Sequence, residues 1–130
     1  MLPLRYPRLW LSFGWLLVLA VIVGSLLPAP VIREITPAIS DKLMHFGAYF
    51  GLMVWFAGLY PRGKHVLLAV ALVALGTLLD ILQGTATRTR SFELLDIAAD
   101  AVGIVVALVL SAWLLEGWCL RVERFAARNA

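Results

Sequence analysis

The chain has 130 residues; 62% are hydrophobic types, 15% are charged, and the formal net charge is +3. A soluble domain is about 45–50% apolar and about 25% charged, so a surplus of this size, with a mean hydropathy of +0.93, must face something other than water. That argues against a soluble enzyme, a nucleic-acid binder and a disordered tail, and the single cysteine, Cys119, excludes an internal disulfide framework or a multi-cysteine metal site.

Four apolar stretches follow in chain order, each near the roughly 20 residues that cross a bilayer. The first, about 9–27, starts after Arg5 and Arg8 and stops at Pro28-Ala29-Pro30. Its apolar run exceeds the roughly 7–15 residues of a signal-peptide core, and Leu27 leaves no small-x-small cleavage site, so it reads as a retained helix. The second, 41–60, stops at Pro61-Arg62-Gly63-Lys64; the third, 65–83, stops before Gly84. The fourth begins near Ser91 and runs to about Trp118. Glycine and proline punctuate three of these boundaries. The expected fold is therefore all-α: one domain over 1–130, an integral membrane bundle of four transmembrane helices.

Lysine and arginine set the expected orientation. With a cytoplasmic N-terminus, seven basic residues lie inside (Arg5, Arg8, Arg62, Lys64, Arg121, Arg124 and Arg128) and four outside (Arg33, Lys42, Arg88 and Arg90). All five tryptophans fall towards the same inner ends and read as interfacial anchors. Both termini are thus expected to be cytoplasmic, in a multi-pass protein of the cell membrane. Six of the eight acids (Glu34, Asp41, Asp80, Glu93, Asp96 and Asp100) gather at the outer side, which nets −2 against +5 inside.

Helical spacing gathers these polar residues into stripes. Asp41, His45 and Tyr49 share a face; so do Gly76, Asp80 and Gln83; so do Asp96, Asp100, Gly103 and Ala107. Polar residues followed by small ones suit a buried seam between helices, and Gly47-x-x-x-Gly51 reads the same way and permits self-association. Carboxylates inside a span cost about 2.5–3.5 kcal/mol at mid-bilayer, which favours pairing Asp80 and Asp100 with Lys42, Arg88 or Arg90, or opening them onto a wet cavity. Plainer roles compete: Ser91 as an N-cap, with Glu93 and Asp96 complementing the helix dipole, and Ser40 with Asp41 doing the same. Asp80, at a helix C-terminal end, has no such account.

Three ordered blocks, Asp41-Lys42-Leu43-Met44-His45-Phe46, Asp80-Ile81-Leu82-Gln83 and Arg90 to Gly103, resemble the VanZ-like family of small bacterial membrane proteins. The resemblance spans about half the chain. By position it carries over Asp41, Lys42, His45, Gln83, Arg90, Asp96 and Gly103; Asp80 stands where the family usually has Glu, and Asp100 where Asn is usual. It implies a cell-envelope role, since the family's namesake is associated with low-level teicoplanin resistance.

These residues support more than one function. A membrane enzyme would use Asp80, His45 and Asp96 as its acid–base groups. Asp41, Lys42, Gln83, Arg88, Arg90 and Asp100 would bind a lipid-linked or phosphate-bearing envelope substrate, the arginines by bidentate contacts. The same nine residues would equally serve a non-catalytic binding or shielding protein, or a polar glue fixing helix register. A proton relay is disfavoured because the charges cluster at one end. Three carboxylates and a histidine are also the donor types of a divalent-cation site, yet no metal ligand is assigned and no cofactor is named. The partners expected are membrane lipid and no nucleic acid.

Overall fold

The computed structural model describes residues 1–35, 40–86 and 93–129. These form α1 (Pro7–Leu26), α2 (Ala29–Ile35), α3 (Asp41–Leu59), a 3-10 turn (Arg62–Lys64), α4 (His65–Ala86), α5 (Leu94–Trp113) and α6 (Trp118–Arg128), with no strand among the described residues. The all-helical fold agrees with the sequence. By length and composition, three helices can cross a membrane: Pro7–Leu26, Arg62–Thr85 and Leu94–Trp113.

The second expected span, α3, is not among those three. Asp41, Lys42 and His45 in its opening turns dilute its apolar character, and its place in the molecule explains why that is tolerated. It is the central helix, in contact with α1, α4, α5 and α6, and it buries His45, Tyr49, Leu52, Met53, Phe56, Ala57, Gly58 and Leu59. A helix packed against four others has less need of a lipophilic exterior. The outer helices are the reverse: α1 buries only Gly14 and Val18, while Leu9, Phe13, Trp15 and Leu16 are at least half exposed. The outward faces of α4 and α5 carry Val66, Leu67, Val70, Val102, Val105 and Val109 in the same state. Such a continuous apolar belt is the mark of a surface that faces lipid or protein rather than water.

Local signals set the helix ends. Ser40 caps α3, its hydroxyl oxygen accepting from the Leu43 N–H at 3.2 Å. At the other end of α3, His65 Nε2 donates to the carbonyls of Ala57 and Tyr60 at 3.2 and 3.1 Å, so the first residue of α4 satisfies the last carbonyls of α3. The expected fourth span, 91–118, is too long. α5 stops at Trp113, and the chain turns at Gly117, whose φ of +59° lies in the left-handed region glycine enters without steric penalty. A separate amphipathic helix, α6, follows. The expected N-cap Ser91 lies outside the described residues; Glu93 occupies the N-cap position of α5 and makes no capping hydrogen bond with its side chain.

The expected role of the tryptophans also changes. Trp15 and Trp113 are exposed at 61% and 82%, as anchors require. Trp10, Trp55 and Trp118 instead pack on one another in tilted and edge-to-face contacts, with ring centroids 5.4–5.5 Å apart, and their indole N–H groups are used internally. Trp10 donates to Glu123 Oε1, Trp55 to the Trp10 carbonyl and Trp118 to the Val54 carbonyl. Glu123 also accepts from the backbone N–H groups of Arg5 and Tyr6 at 2.6 and 3.0 Å, and so caps the start of α1, which has no side-chain cap of its own. This aromatic end fastens α6 to α1 and α3.

Candidate functional site

The opposite end is acidic. α3 and α5 start there and α4 finishes there, so the three polar stripes meet in one place. The closest approach is at Gly103, where a Cβ would sit 2.4 Å from the Phe46 carbonyl oxygen. No other residue type allows α5 to lie this near to α3, and the seam read from Asp96, Asp100, Gly103 and Ala107 is buried along that whole stripe.

His45 stands at the centre. Its Nδ1 is 2.9 Å from Asp100 Oδ1 and 3.9 Å from Asp80 Oδ1, while its Nε2 is 3.8 Å from Asp96 Oδ2 and 3.9 Å from Asp41 Oδ2. Each face of one imidazole therefore looks at two carboxylates. Three of the four are almost fully covered: Asp80, Asp96 and Asp100 retain 2–3% of their surface, and His45 retains 7%. Lys42 bridges Glu93 and Asp96. Buried polar and charged groups persist only when paired, hydrogen-bonded or ligating, and here Lys42 meets Asp96, while His45 stands between Asp96 on one side and Asp80 and Asp100 on the other.

The expected pairing differs in detail. Lys42 is committed to Asp96 and Glu93, and the partner of Asp100 is His45. Arg88 and Arg90, the other expected cations, lie outside the described residues. Gln83, one turn from Asp80, is 1% exposed and donates from Nε2 to the Ser25 carbonyl of α1 at 2.7 Å. Asp41, Lys42, His45, Asp80, Asp96 and Asp100 thus converge, and Gln83 ties α4 to α1 beside them.

Two residues outside the expected set belong to this end. Glu93, read as a dipole complement, is an ion-pair partner of Lys42. Tyr49, noted only as continuing the His45 face, is 2% exposed, and its hydroxyl has no hydrogen-bond partner among the described residues; the same holds for Asp100 Oδ2. Both lie over Gly76, where a Cβ would come within 2.7 Å of Asp100 Oδ2 and 3.2 Å of the Tyr49 ring. The i, i+4 spacing of His45 and Tyr49 was the available signal.

From His45 a groove of about 570 Å³ runs between α1 and α3. One end is polar, with Ser25, Asp41, His45 and Gln83; the rest is walled by Phe13, Leu17 and Val21 of α1 and by Leu52 of α3. Gly47 and Gly51, expected in an inter-helix seam, line this groove instead, and a Cβ at either would meet nothing within 4 Å. They keep a channel open; the glycines that permit close packing include Gly76, Gly103, Gly58 and Gly14.

No family model, no curated protein and no solved structure matches the chain.

Proposed function

We propose that this chain is a multi-pass membrane protein of the VanZ-like type, with α1, α3, α4 and α5 as its four spans and both termini cytoplasmic. Its acidic end then lies at the outer face and binds an amphiphilic, lipid-linked ligand of the cell envelope. The observation that carries this reading is the continuity of the His45 cluster with the α1–α3 groove. A polar mouth and an apolar shaft suit a molecule with a hydrogen-bonding head group and a hydrocarbon tail. The shaft opens sideways on the apolar belt, where a lipid tail enters without crossing water. Sequence resemblance adds the envelope context and a link to glycopeptide resistance.

Native mass spectrometry of the detergent-solubilised protein with a polyprenyl phosphate, in the presence of EDTA, tests the reading. The wild type retains the lipid, and Gly51→Leu, which fills open space in the groove, releases it without a change in melting temperature. Equal retention by both proteins overturns the proposal. The alternative reading, in which the cluster only fixes helix packing, draws on the buried His45–Asp100 contact at 2.9 Å and predicts that no amphiphile is retained by either.

A further inference from the structure

We propose that His45, Asp80 and Asp100 hold a divalent transition-metal cation at the junction of α3, α4 and α5. The three donor atoms, one imidazole nitrogen and two carboxylate oxygens, all lie within 4.8 Å of one another. Donors sharing an ion at about 2.1 Å stand about 3–3.5 Å apart, and the observed separations from His45 Nδ1, 2.9 Å to Asp100 and 3.9 Å to Asp80, bracket that spacing. Small side-chain rotations close the difference.

Clustered acids alone do not make a site, but two buried polar atoms beside these donors, Asp100 Oδ2 and the Tyr49 hydroxyl, have no hydrogen-bond partner among the described residues. Leaving a buried polar atom unsatisfied costs about 1–3 kcal/mol. Two such atoms, brought together over Gly76, a residue of α4 that has no side chain, mark a space kept for something that accepts their lone pairs. Gly76 makes that space: a methyl group there would press on the Asp100 carboxylate at 2.7 Å.

The far side of the imidazole fits as well. A histidine that ligates through one nitrogen donates its other N–H to a carboxylate, which fixes the ring and strengthens the ligand. With Nδ1 on the ion, Nε2 faces Asp96 and Asp41 at 3.8 and 3.9 Å, beyond hydrogen-bond reach, so a small shift on binding brings its N–H onto one of them, and Lys42 pairs with Asp96 in turn. One nitrogen and two carboxylates favour manganese, iron or zinc over calcium or magnesium, which prefer all-oxygen shells. His45 lines the groove, which gives the ion its way in.

This inference shares a site with the proposed amphiphile but does not depend on it, because the ion is titrated alone and the lipid is tested under EDTA. The detergent-solubilised, chelator-stripped protein is titrated with Co²⁺, followed by its visible absorption bands, and with Mn²⁺, followed by electron paramagnetic resonance. One equivalent binds saturably, Asp100→Asn and His45→Gln weaken binding tenfold or more, and Glu116→Gln, an acid outside the cluster, leaves it unchanged. Should the cluster variants fail to fold, the wild type still decides the matter: bound Mn²⁺ broadens the ring resonances of Tyr49 and spares those of Trp118. Absence of saturable binding, equal binding by Asp100→Asn, or broadening that ignores Tyr49 overturns the site.

Discussion

The two ends of this molecule solve the same problem, fastening several helices together, with opposite chemistry. At the aromatic end, Trp10, Trp55 and Trp118 interlock and every indole N–H has an acceptor, while both oxygens of Glu123 are used on α1. At the acidic end, four carboxylates surround one imidazole, and Asp100 Oδ2 and the Tyr49 hydroxyl have no hydrogen-bond partner among the described residues; at the other end His65 Nδ1 and Ser111 Oγ are in the same state, but no carboxylate is. A purely architectural joint has no use for surplus buried carboxylates, since well-packed apolar groups replace buried ion pairs at no loss, and often with a gain, of stability. The aromatic end is built for strength. The acidic end gives up stability, as sites that must engage a ligand do.

The strongest way to break this contrast is to add a single methyl group at each end. At Gly103 the obstacle is backbone, the Phe46 carbonyl oxygen at 2.4 Å; at Gly58 it is side chain, Trp118 Nε1 at 2.3 Å and Cys119 Sγ at 2.7 Å. Gly103→Ala must drive α5 away from α3 and is expected to cost about 3 kcal/mol, the upper part of the overpacking range. Gly58→Ala displaces only α6 and is expected to cost about half as much. Thermal unfolding in detergent measures both, and a larger loss at Gly58 reverses the ranking of the two joints.

The acidic end was also the more legible in the sequence, for a physical reason. Helical periodicity is local: Asp41 with His45, Asp96 with Asp100 and Gly103, and Asp80 with Gly76 fall on common faces whatever the rest of the chain does. Their burial together follows from their being polar within apolar helices. What joins one helix to another is not local. The capping of α1 by Glu123 spans 117 residues, and neither partner carries a spacing signal. Trp10, Trp55 and Trp118 fit the pattern of interfacial anchors until their contacts are known. Gly47 and Gly51 have the spacing of a helix seam, yet whether small residues admit a neighbour or leave a groove depends on where that neighbour lies. The break before Gly117 is hard to read because apolar residues run through Leu115 and resume at Trp118 with no proline between them.

A middle-sized effect sharpens the picture of the aromatic end. Glu123→Ala removes the cap of α1 and the Trp10 acceptor together and is expected to cost about 1 kcal/mol. Although its partial burial opposes ionisation, the Arg5 and Tyr6 N–H groups and the Trp10 indole hold the Glu123 carboxyl below its ordinary value of 4.5. A carboxyl whose folded value is depressed binds protons more readily in the unfolded chain. Its contribution is therefore complete above about pH 4.5 and fades as the pH falls below that, through the depressed value. Cys119 reports the event: burial, and then the Glu123 charge, push its thiol up to about 12, and it is fully covered in the fold. Thiol labelling at pH 8 is slow in the wild type and faster in Glu123→Ala; equal rates show that Glu123 does not hold α6 in place.

The smallest stability effect is expected at a deeply buried acid, Asp100. Asp100→Asn keeps the shape over Gly76 and replaces one of the four acids around His45 with a neutral amide. The imidazole still faces Asp41, Asp80 and Asp96 at 3.8–3.9 Å, so it keeps an acid beside each nitrogen, and the crowding of acids is relieved. Under EDTA the melting temperature of Asp100→Asn should equal or exceed that of the wild type. Breaking a buried pair that a fold relies on costs about 3–5 kcal/mol. A loss of that size at Asp100 makes the acidic end a joint like the aromatic one, whereas no loss means that the surplus carboxylate answers to something other than folding.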